Sequence, residues 1–330
     1  MNSDSQNASR GPARVLSTDP ASLAEAARIL IAGGLVAVPT ETVYGLAADA
    51  TNGAAVAAIY AAKGRPSFNP LICHVADLAM AESLARFSPL ARALAVRFWP
   101  GPLTLVLPRK PSCPVHELAT AGLPSIALRH PQHIATLEII SRVGRPLAAP
   151  SANPSEQLSP TTAAHVAAGL GSRIDLIIDG GPCVAGLEST IITPGEDGAV
   201  MLRAGALARS DIELLTGPLR SPDHAAGIVA PGMLRRHYAP RARLRLGATS
   251  VENGEAFLAF GTPPSSVSPS LNLSIRGDLA EAASNLFAML RTLDESHDAI
   301  AVAPIPSVGL GEAINDRLKR AGAHAHKNEL

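Results

Sequence analysis

The sequence predicts an α/β fold with a mixed sheet, followed by a connector and a smaller Rossmann-like α/β unit. Three observations predict it. From residue 20 to residue 216, short apolar runs alternate with helical patterns. Short connections such as Gly195–Gly198 require antiparallel strand pairs, whereas strand–helix–strand units favour parallel ones. Between Gly217 and Pro240 the periodicity lapses into a Pro/Gly/His/Arg-rich stretch before the alternation resumes.

The elements follow in order. Residues 1–13 are small and polar and read as a flexible terminus. Pro20 opens a helical pattern that places Leu23, Ala27 and Leu30 on one face and stops at Gly33-Gly34. A strand, Leu35–Val38, ends at Pro39, which cannot donate to a ladder, so Thr40 to Gly45 begins as a loop at a strand's carboxyl end, the place where α/β sheets bind ligands. Then come a helix near Gly53–Lys63, a strand Leu71–Val75, helices near Asp77–Phe87 and Pro89–Phe98, and strands near Thr104–Leu107 and Ser125–Leu128. A helix near Gln132–Arg142, a strand Pro146–Ala149, a helix after Pro160, and strands around Leu176–Ile178, Ser189–Thr193 and Ala199–Leu202 complete a unit spanning 14–216. Residues 217–242 form the connector, which carries two Arg, a His and a Tyr between Pro231 and Pro240 and so touches something a plain spacer would not. Residues 243–330 read as strand, strand, helix (Asp278–Arg291), strand (Ala299–Ala303) and helix (Glu312–Ala321).

Composition excludes several classes. Lys plus Arg and Asp plus Glu both number 28, so the basic excess of a phosphate-gripping nucleic-acid binder is missing and no stable nucleic-acid binding is expected. Cys73, Cys113 and Cys183 lack C-x-x-C spacing, which disfavours zinc and disulfide frameworks. The longest apolar run, Ile29–Val38, is too short to span a bilayer and the first ten residues are polar, so the expected location is the cytoplasm. None of the four lysines follows a glycine, so there is no Walker A loop, and neither G-x-S-x-G nor H-E-x-x-H occurs. Gly309-Leu310-Gly311 lacks the third glycine of a dinucleotide fingerprint.

Chemistry concentrates in Lys63-Gly64-Arg65-Pro66-Ser67-Phe68-Asn69-Pro70, where prolines pin an extended loop beside two cations, an arrangement suited to polyphosphate. The plainer reading is that the pair caps a helix's negative end. Pro150-Ser151-Ala152-Asn153-Pro154 offers a hydroxyl and an amide at another strand's end, and Ser159-Pro160 opens a helix; either could be only a turn or a cap. Glu188-Ser189-Thr190, Arg203, Ser125 and Arg129 add hydroxyls and cations to further strands.

With these segments in order, the chain resembles the YrdC-type threonylcarbamoyl-AMP synthases in their long, two-domain form. The match rests on Pro39-Thr40-Glu41-Thr42-Val43-Tyr44-Gly45-Leu46, Lys63-x-Arg65-Pro66, Asn69-Pro70-Leu71 with His74, Ser151-Ala152-Asn153, Glu188-Ser189-Thr190 and Arg203. The connector Pro231-Gly232-Met233 with His237-Tyr238-Ala239-Pro240, and Gly309-Leu310-Gly311-x-Ala313-Ile314-Asn315-Asp316-Arg317, extend it across nearly the whole chain. Serines at 67 and 125, where other hydroxyl residues are common, and Leu187, where Val is frequent, are small departures. The resemblance implies a twisted mixed sheet with a large cavity, and a nucleotidyltransferase that joins L-threonine, bicarbonate and ATP into threonylcarbamoyl-AMP with release of pyrophosphate. A separate transferase complex then uses that product to build threonylcarbamoyladenosine in tRNA. It implies ATP contacts at Arg65, Asn69, Ser125, Ser151, Ser159 and Arg203, with His237 and Tyr238 of the connector covering the site. It implies L-threonine contacts at Thr42, His74, Arg129, the backbone of Ala149, and Ser189. Lys63 and Arg65 are the expected catalytic cations, and Mg2+ is expected to be held by the ATP phosphates rather than by protein ligands. An RNA-binding module on the same fold is the alternative reading, against which the balanced charge argues.

Overall fold

In a computed structural model, residues 11–196, 198–222, 230, 238–265 and 267–323 are described. The chain begins with β1 (Arg14–Leu16) and α1 (Pro20–Ile31), whose N-terminus is capped by Asp19 accepting from the amides of Ala21 and Ser22. β2 (Val36–Val38) and β3 (Gly45–Asp49) follow, then α2 (Gly53–Lys63), capped by Asn52 and closed by Gly64 in the left-handed region. Next come β4 (Ile72–His74), α3 (Leu78–Leu84), α4 (Pro89–Phe98), β5 (Leu103–Pro108), α5 (Glu117–Thr120), β6 (Ser125–Arg129) and α6 (Ile134–Val143). β7 (Leu147–Ala148), α7 (Ala163–Leu170), β8 (Leu176–Ile178), β9 (Thr190–Gly195), β10 (Gly198–Arg203) and α8 (Arg209–Thr216) complete the first unit. The second holds β11 (Arg243–Leu246), β12 (Ala256–Ala259), β13 (Leu271–Asn272), α9 (Leu279–Asp294), β14 (Ala299–Val302) and α10 (Gly311–Gly322).

The first unit is one mixed sheet in the order β1-β8-β2-β3-β7-β4-β6-β5-β9-β10. Its topology explains where the cavity lies. Because side chains alternate across a strand, one face carries Val36, Val38, Ala47, Leu147, Leu176 and Ile178, and α1 and α6 cover that half with Leu23, Leu30, Ile139 and Ile140. The same face continues onto β4, β6, β5 and β9, where no helix of the first unit covers it. There Ile72, Val106, Ala127 and Ile191 form an apolar floor, over which the buried Ala230 of the connector lies. The opposite face, with Cys73, Leu105, Leu128 and Ile192, belongs to the main core packed by α2, α4 and α7.

The small sheet, β11-β14-β12-β13, is wholly parallel. Its helices α9 and α10 form a core with Leu244, Leu258 and Ile300 that continues into Val43, Leu158, Leu187 and Tyr238 at the open half of the large sheet. The second unit therefore closes what the first leaves bare.

Five elements stand where the sequence signals none. β1 and β13 are edge strands of three and two residues, and α5 is a single turn, too short to carry a period. α8 buries only Ile212 and so lacks an apolar stripe. β3 reads Gly-Leu-Ala-Ala-Asp, poor in strand formers, and is held by antiparallel pairing with β2 and β7. The helix expected over 77–87 is shorter, capped by Asp77 and ended at Leu84. Arg220, at the start of the connector, bridges to Val200 beside β10. The N-terminal stretch to residue 10 and most of the connector, His237 included, lie outside the described residues.

Candidate active site

At the cavity's strand-built end, β4 and β6 run parallel with His74 opposite Arg129 and Ile72 opposite Ala127, so all four share one face. Arg129 donates from Nη2 to Glu41 Oε1 at 2.6 Å and from Nε to the Gly101 carbonyl at 3.3 Å. Glu41's other oxygen accepts the Gln132 amide at 3.0 Å. Burial would raise the Glu41 pKa, but the charge and hydrogen bond of Arg129 outweigh it and hold the carboxyl below its ordinary value. Burial, with Arg129 beside it, pushes His74 down to about 3, so its imidazole is neutral at physiological pH. Its Nδ1 is buried without a hydrogen-bond partner among the described residues. Thr42 enters from the β2–β3 loop, its hydroxyl 2.8 Å from that of Thr40, which itself donates to the Val43 carbonyl.

The other end is built from loops. Arg65, just past the α2 cap, donates to the carbonyls of Asn69 at 3.3 Å and Pro70 at 3.1 Å; burial lowers it to about 10, leaving it charged. Arg203, at the end of β10, donates to the Ser189 carbonyl at 2.8 Å and to its hydroxyl at 3.2 Å. Ser189 Oγ lies 2.7 Å from Thr104 Oγ1 on β5. Glu188 accepts from the Ser159 hydroxyl and from Arg317 Nε of α10, the latter at 2.8 Å. Burial opposes the charge on Glu188, but Arg317, Arg203 and the Ser159 hydrogen bond draw its pKa down to about 2. The Tyr238 ring sits between Phe287, stacked at 5.7 Å, and the Arg317 guanidinium, 4.9 Å from the ring centre.

These ends face one cavity of about 50 Å³. Of the residues expected to contact L-threonine, Thr42, His74, Arg129, Ala149 and Ser189 all line it. Of the expected ATP contacts, Arg65, Ser151, Arg203 and Tyr238 line it. Lys63, Asn69, Ser125 and Ser159 do not. Lys63 is the clearest departure from its expected place. Its buried ammonium donates to the carbonyls of Ser151 and Asn153, so it ties α2 to the loop after β7 and is neither a bare helix cap nor a cavity-facing cation. Burial, with Arg65 next to it, holds its pKa well below the ordinary lysine value. Asn69 is buried under Arg65, Ser159 stands behind Glu188, and Ser125 opens β6 on the cavity face roughly 13 Å along the strand from Arg129. Sequence reading assigned no role to Glu41, Thr104, Glu188 or Arg317. Glu41, Glu188 and Arg317 stand inside the motifs quoted above, which was the available signal; Thr104, inside an apolar strand, carried none.

Size does not mark this site. Open clefts of about 810 and 660 Å³ lie around β11 and beside α9, where Arg245 is paired with Glu255 and Arg241 with Asp294. Among the described residues, the small cavity gathers three buried guanidinium groups, Arg65, Arg129 and Arg203, at 8%, 4% and 7% exposure, around a neutral imidazole and hydroxyls. Among the described residues no helix is long and apolar enough to cross a membrane, and no three His, Cys, Asp or Glu side chains cluster to hold a metal ion.

A mixed sheet with an arginine-lined cavity at its strand ends, covered by a second α/β unit, defines an enzyme class that handles an anionic substrate. Residues 28–205 match the family described as "Telomere recombination", the Sua5/YciO/YrdC group, and residues 205–323 match "Threonylcarbamoyl-AMP synthase, C-terminal domain". The threonylcarbamoyl-AMP synthase of Bacillus subtilis is 41% identical, covering 93% of this chain and 94% of its own length. That of Pyrococcus abyssi is also 41% identical, over 91% and 93%. The crystal structure of P. abyssi Sua5 complexed with L-threonine superposes with a TM-score of 0.85 at 38% identity, covering 94% of this chain and 98% of that one. The chain belongs to the threonylcarbamoyl-AMP synthase family, nucleotidyl-transferring enzymes of tRNA modification.

Proposed function

We propose that this chain makes L-threonylcarbamoyl-AMP from L-threonine, bicarbonate and ATP, with loss of pyrophosphate, as the first step of tRNA threonylcarbamoyladenosine modification. The observation that supports it most is the convergence of Arg65, Arg129 and Arg203 on one cavity, where Glu188, the one carboxylate lining it among the described residues, is paired with Arg317. Such a cavity has a net positive field for a polyphosphate and a carboxylate together.

Threonine sits at the strand-built end in this reading. Arg129 takes its carboxylate bidentately, while Thr42, Ser189 and neutral His74 offer hydrogen bonds to its hydroxyl and amine. The threonine nitrogen attacks the carbon of bicarbonate, forming a carbamate and releasing water. The carbamate loses carbon dioxide readily in water, so a dry cavity preserves it. A carbamate oxygen then attacks the α-phosphorus of ATP, and the bond to pyrophosphate breaks. That step requires positioning and cationic stabilisation more than a protein nucleophile. Arg65 and Arg203 supply the charge, Ser151 a hydroxyl, and Lys63 fixes the loop that carries Ser151. With Glu41 and Glu188 both committed to arginines, Mg2+ travels with the ATP phosphates and, when bound, screens their charge.

Roughly 300 Å³ or more is needed for a nucleotide-sized ligand, so the cavity must widen to admit ATP. The cytoplasm suits the reaction, because the labile product must pass at once to a separate tRNA-modifying transferase complex. The buried, inward-facing arginines give no support to the RNA-binding alternative. Measuring pyrophosphate release with Mg·ATP while omitting threonine and bicarbonate in turn tests the reading. Release is expected only with both present, and release independent of threonine would falsify it.

A further inference from the structure

The second unit does more than cover the cavity. Arg317 of α10 is 1% exposed and distributes its guanidinium completely: Nε to Glu188 at 2.8 Å, Nη2 to the Ala204 carbonyl at 2.9 Å, and Nη1 to Asp316 at 2.6 Å. Glu188 passes that tether on to Ser159, and Ala204 adjoins Arg203. The neighbouring helix α9 holds the same region twice. Arg291 donates to the Leu158 carbonyl at 2.9 Å, one residue before Ser159. The backbone of Ala283 and Ser284 lies against Gly186, where an added Cβ would stand 2.5 Å from the Ser284 Cα. The segments carrying Ser159, Glu188 and, at the end of β10, Arg203 are thus held from α9 and α10, whereas His74 and Arg129 are held by the pairing of β4 with β6.

We propose that Arg317 is a positioning residue for the nucleotide end of the active site, acting through Glu188 on Ser159 and through the Ala204 carbonyl on the adjoining Arg203. The inference rests on the assignment of that end to ATP. It makes the second unit a structural part of the adenylation site, and it separates the two substrates: disturbing Arg317 acts on ATP and leaves threonine binding largely alone.

The test uses the full chain, with Arg317→Met, Glu188→Gln and the double variant, and reads pyrophosphate release against ATP and against threonine. Wild-type release that depends on threonine establishes the baseline reaction first; its absence would overturn the proposed function itself, whatever the variants do. Given that baseline, R317M is expected to raise the KM for ATP roughly tenfold or more and to lower kcat, with the KM for threonine changed less than about twofold. E188Q/R317M, which no longer buries an unpaired carboxylate, is expected to recover part of the loss relative to R317M. Unchanged ATP parameters in R317M overturn the proposal. So does an equal rise in both KM values without recovery in the double variant, the signature of a general loss of packing. If R317M does not fold, E188Q/R317M is compared with E188Q, and equal ATP parameters in those two overturn it as well.

Discussion

The two ends of the cavity are built by different means. His74 and Arg129 face each other across adjacent strands in the middle of a ten-stranded sheet, with His74 paired to Arg129 on one side and to Leu147 on the other. Arg65, Ser189 and Arg203 stand at element ends and in loops, where Arg65 and Arg203 donate to backbone carbonyls, and the nearby Leu158, Glu188 and Ala204 are held by two helices 113 to 133 residues further along the chain. A ladder is over-determined, so losing one side chain leaves its geometry standing. A loop held by a few charge-assisted hydrogen bonds moves when one is lost. Mutations at the strand-built end should therefore act on one substrate, and mutations at the loop-built end should act on the reacting geometry as a whole.

Arg203→Ala gives the largest expected effect. It removes a buried charge that the proposed reading assigns to the phosphates and also the donor that fixes the Ser189 carbonyl. The expected fall in kcat is about a hundredfold to a thousandfold, the scale of one preorganised charge contact in a dry site, measured as pyrophosphate release at saturating substrates. A change confined to the threonine KM would erase the contrast between the ends.

Glu41→Gln sharpens it from the opposite side. Glu41 keeps Arg129 oriented through a buried ion pair and accepts the Gln132 amide, so the neutral variant loosens the guanidinium without touching the phosphate-facing arginines. A roughly tenfold rise in the threonine KM is expected, with the ATP KM unchanged, because a charge-assisted hydrogen bond is worth about 1.5–3 kcal/mol. A parallel rise in the ATP KM would show that the two ends are mechanically one.

The same contrast governs what the sequence made legible. A helix with a cap and a stop, such as Gly53–Lys63 between Asn52 and Gly64, was readable from its local sequence, whereas the register that brings His74 and Arg129 to one face was not. The five expected threonine contacts reach the cavity because each sits at a strand end or in the loop beside one, where local sequence determines direction. Lys63 shows the limit. Its charge and its place after a helix suit phosphate equally well, and only the tertiary position of the Ser151 and Asn153 carbonyls decides where its ammonium goes. Arg317 shows it again, since nothing local to Asn315-Asp316-Arg317 indicates that its partner lies 129 residues earlier. Non-local polar pairings carry no period, and so periodicity cannot find them.

The smallest effect comes from protons, and it distinguishes the ends without any substrate. His74 has its pKa depressed to about 3 in the fold against an ordinary value near 6.5. Between those values the unfolded chain binds a proton that the folded chain refuses, so stability falls as pH drops through that window. At pH 5 the contribution amounts to about 2 kcal/mol, and His74→Asn should lose that much less stability than the wild-type chain between pH 7 and pH 5, read as the difference in urea midpoints. His130, His133 and His165 are also depressed by burial, but they are present in both proteins and cancel. Glu188 reports the other end in a lower window. Its pKa is drawn from 4.5 to about 2, so the stability it contributes is complete above pH 4.5 and is lost only as the pH falls towards 2. A chain whose acid sensitivity between pH 7 and pH 5 is untouched by His74→Asn would mean that water reaches the imidazole, and the strand-built end would then be no drier than the loops opposite it.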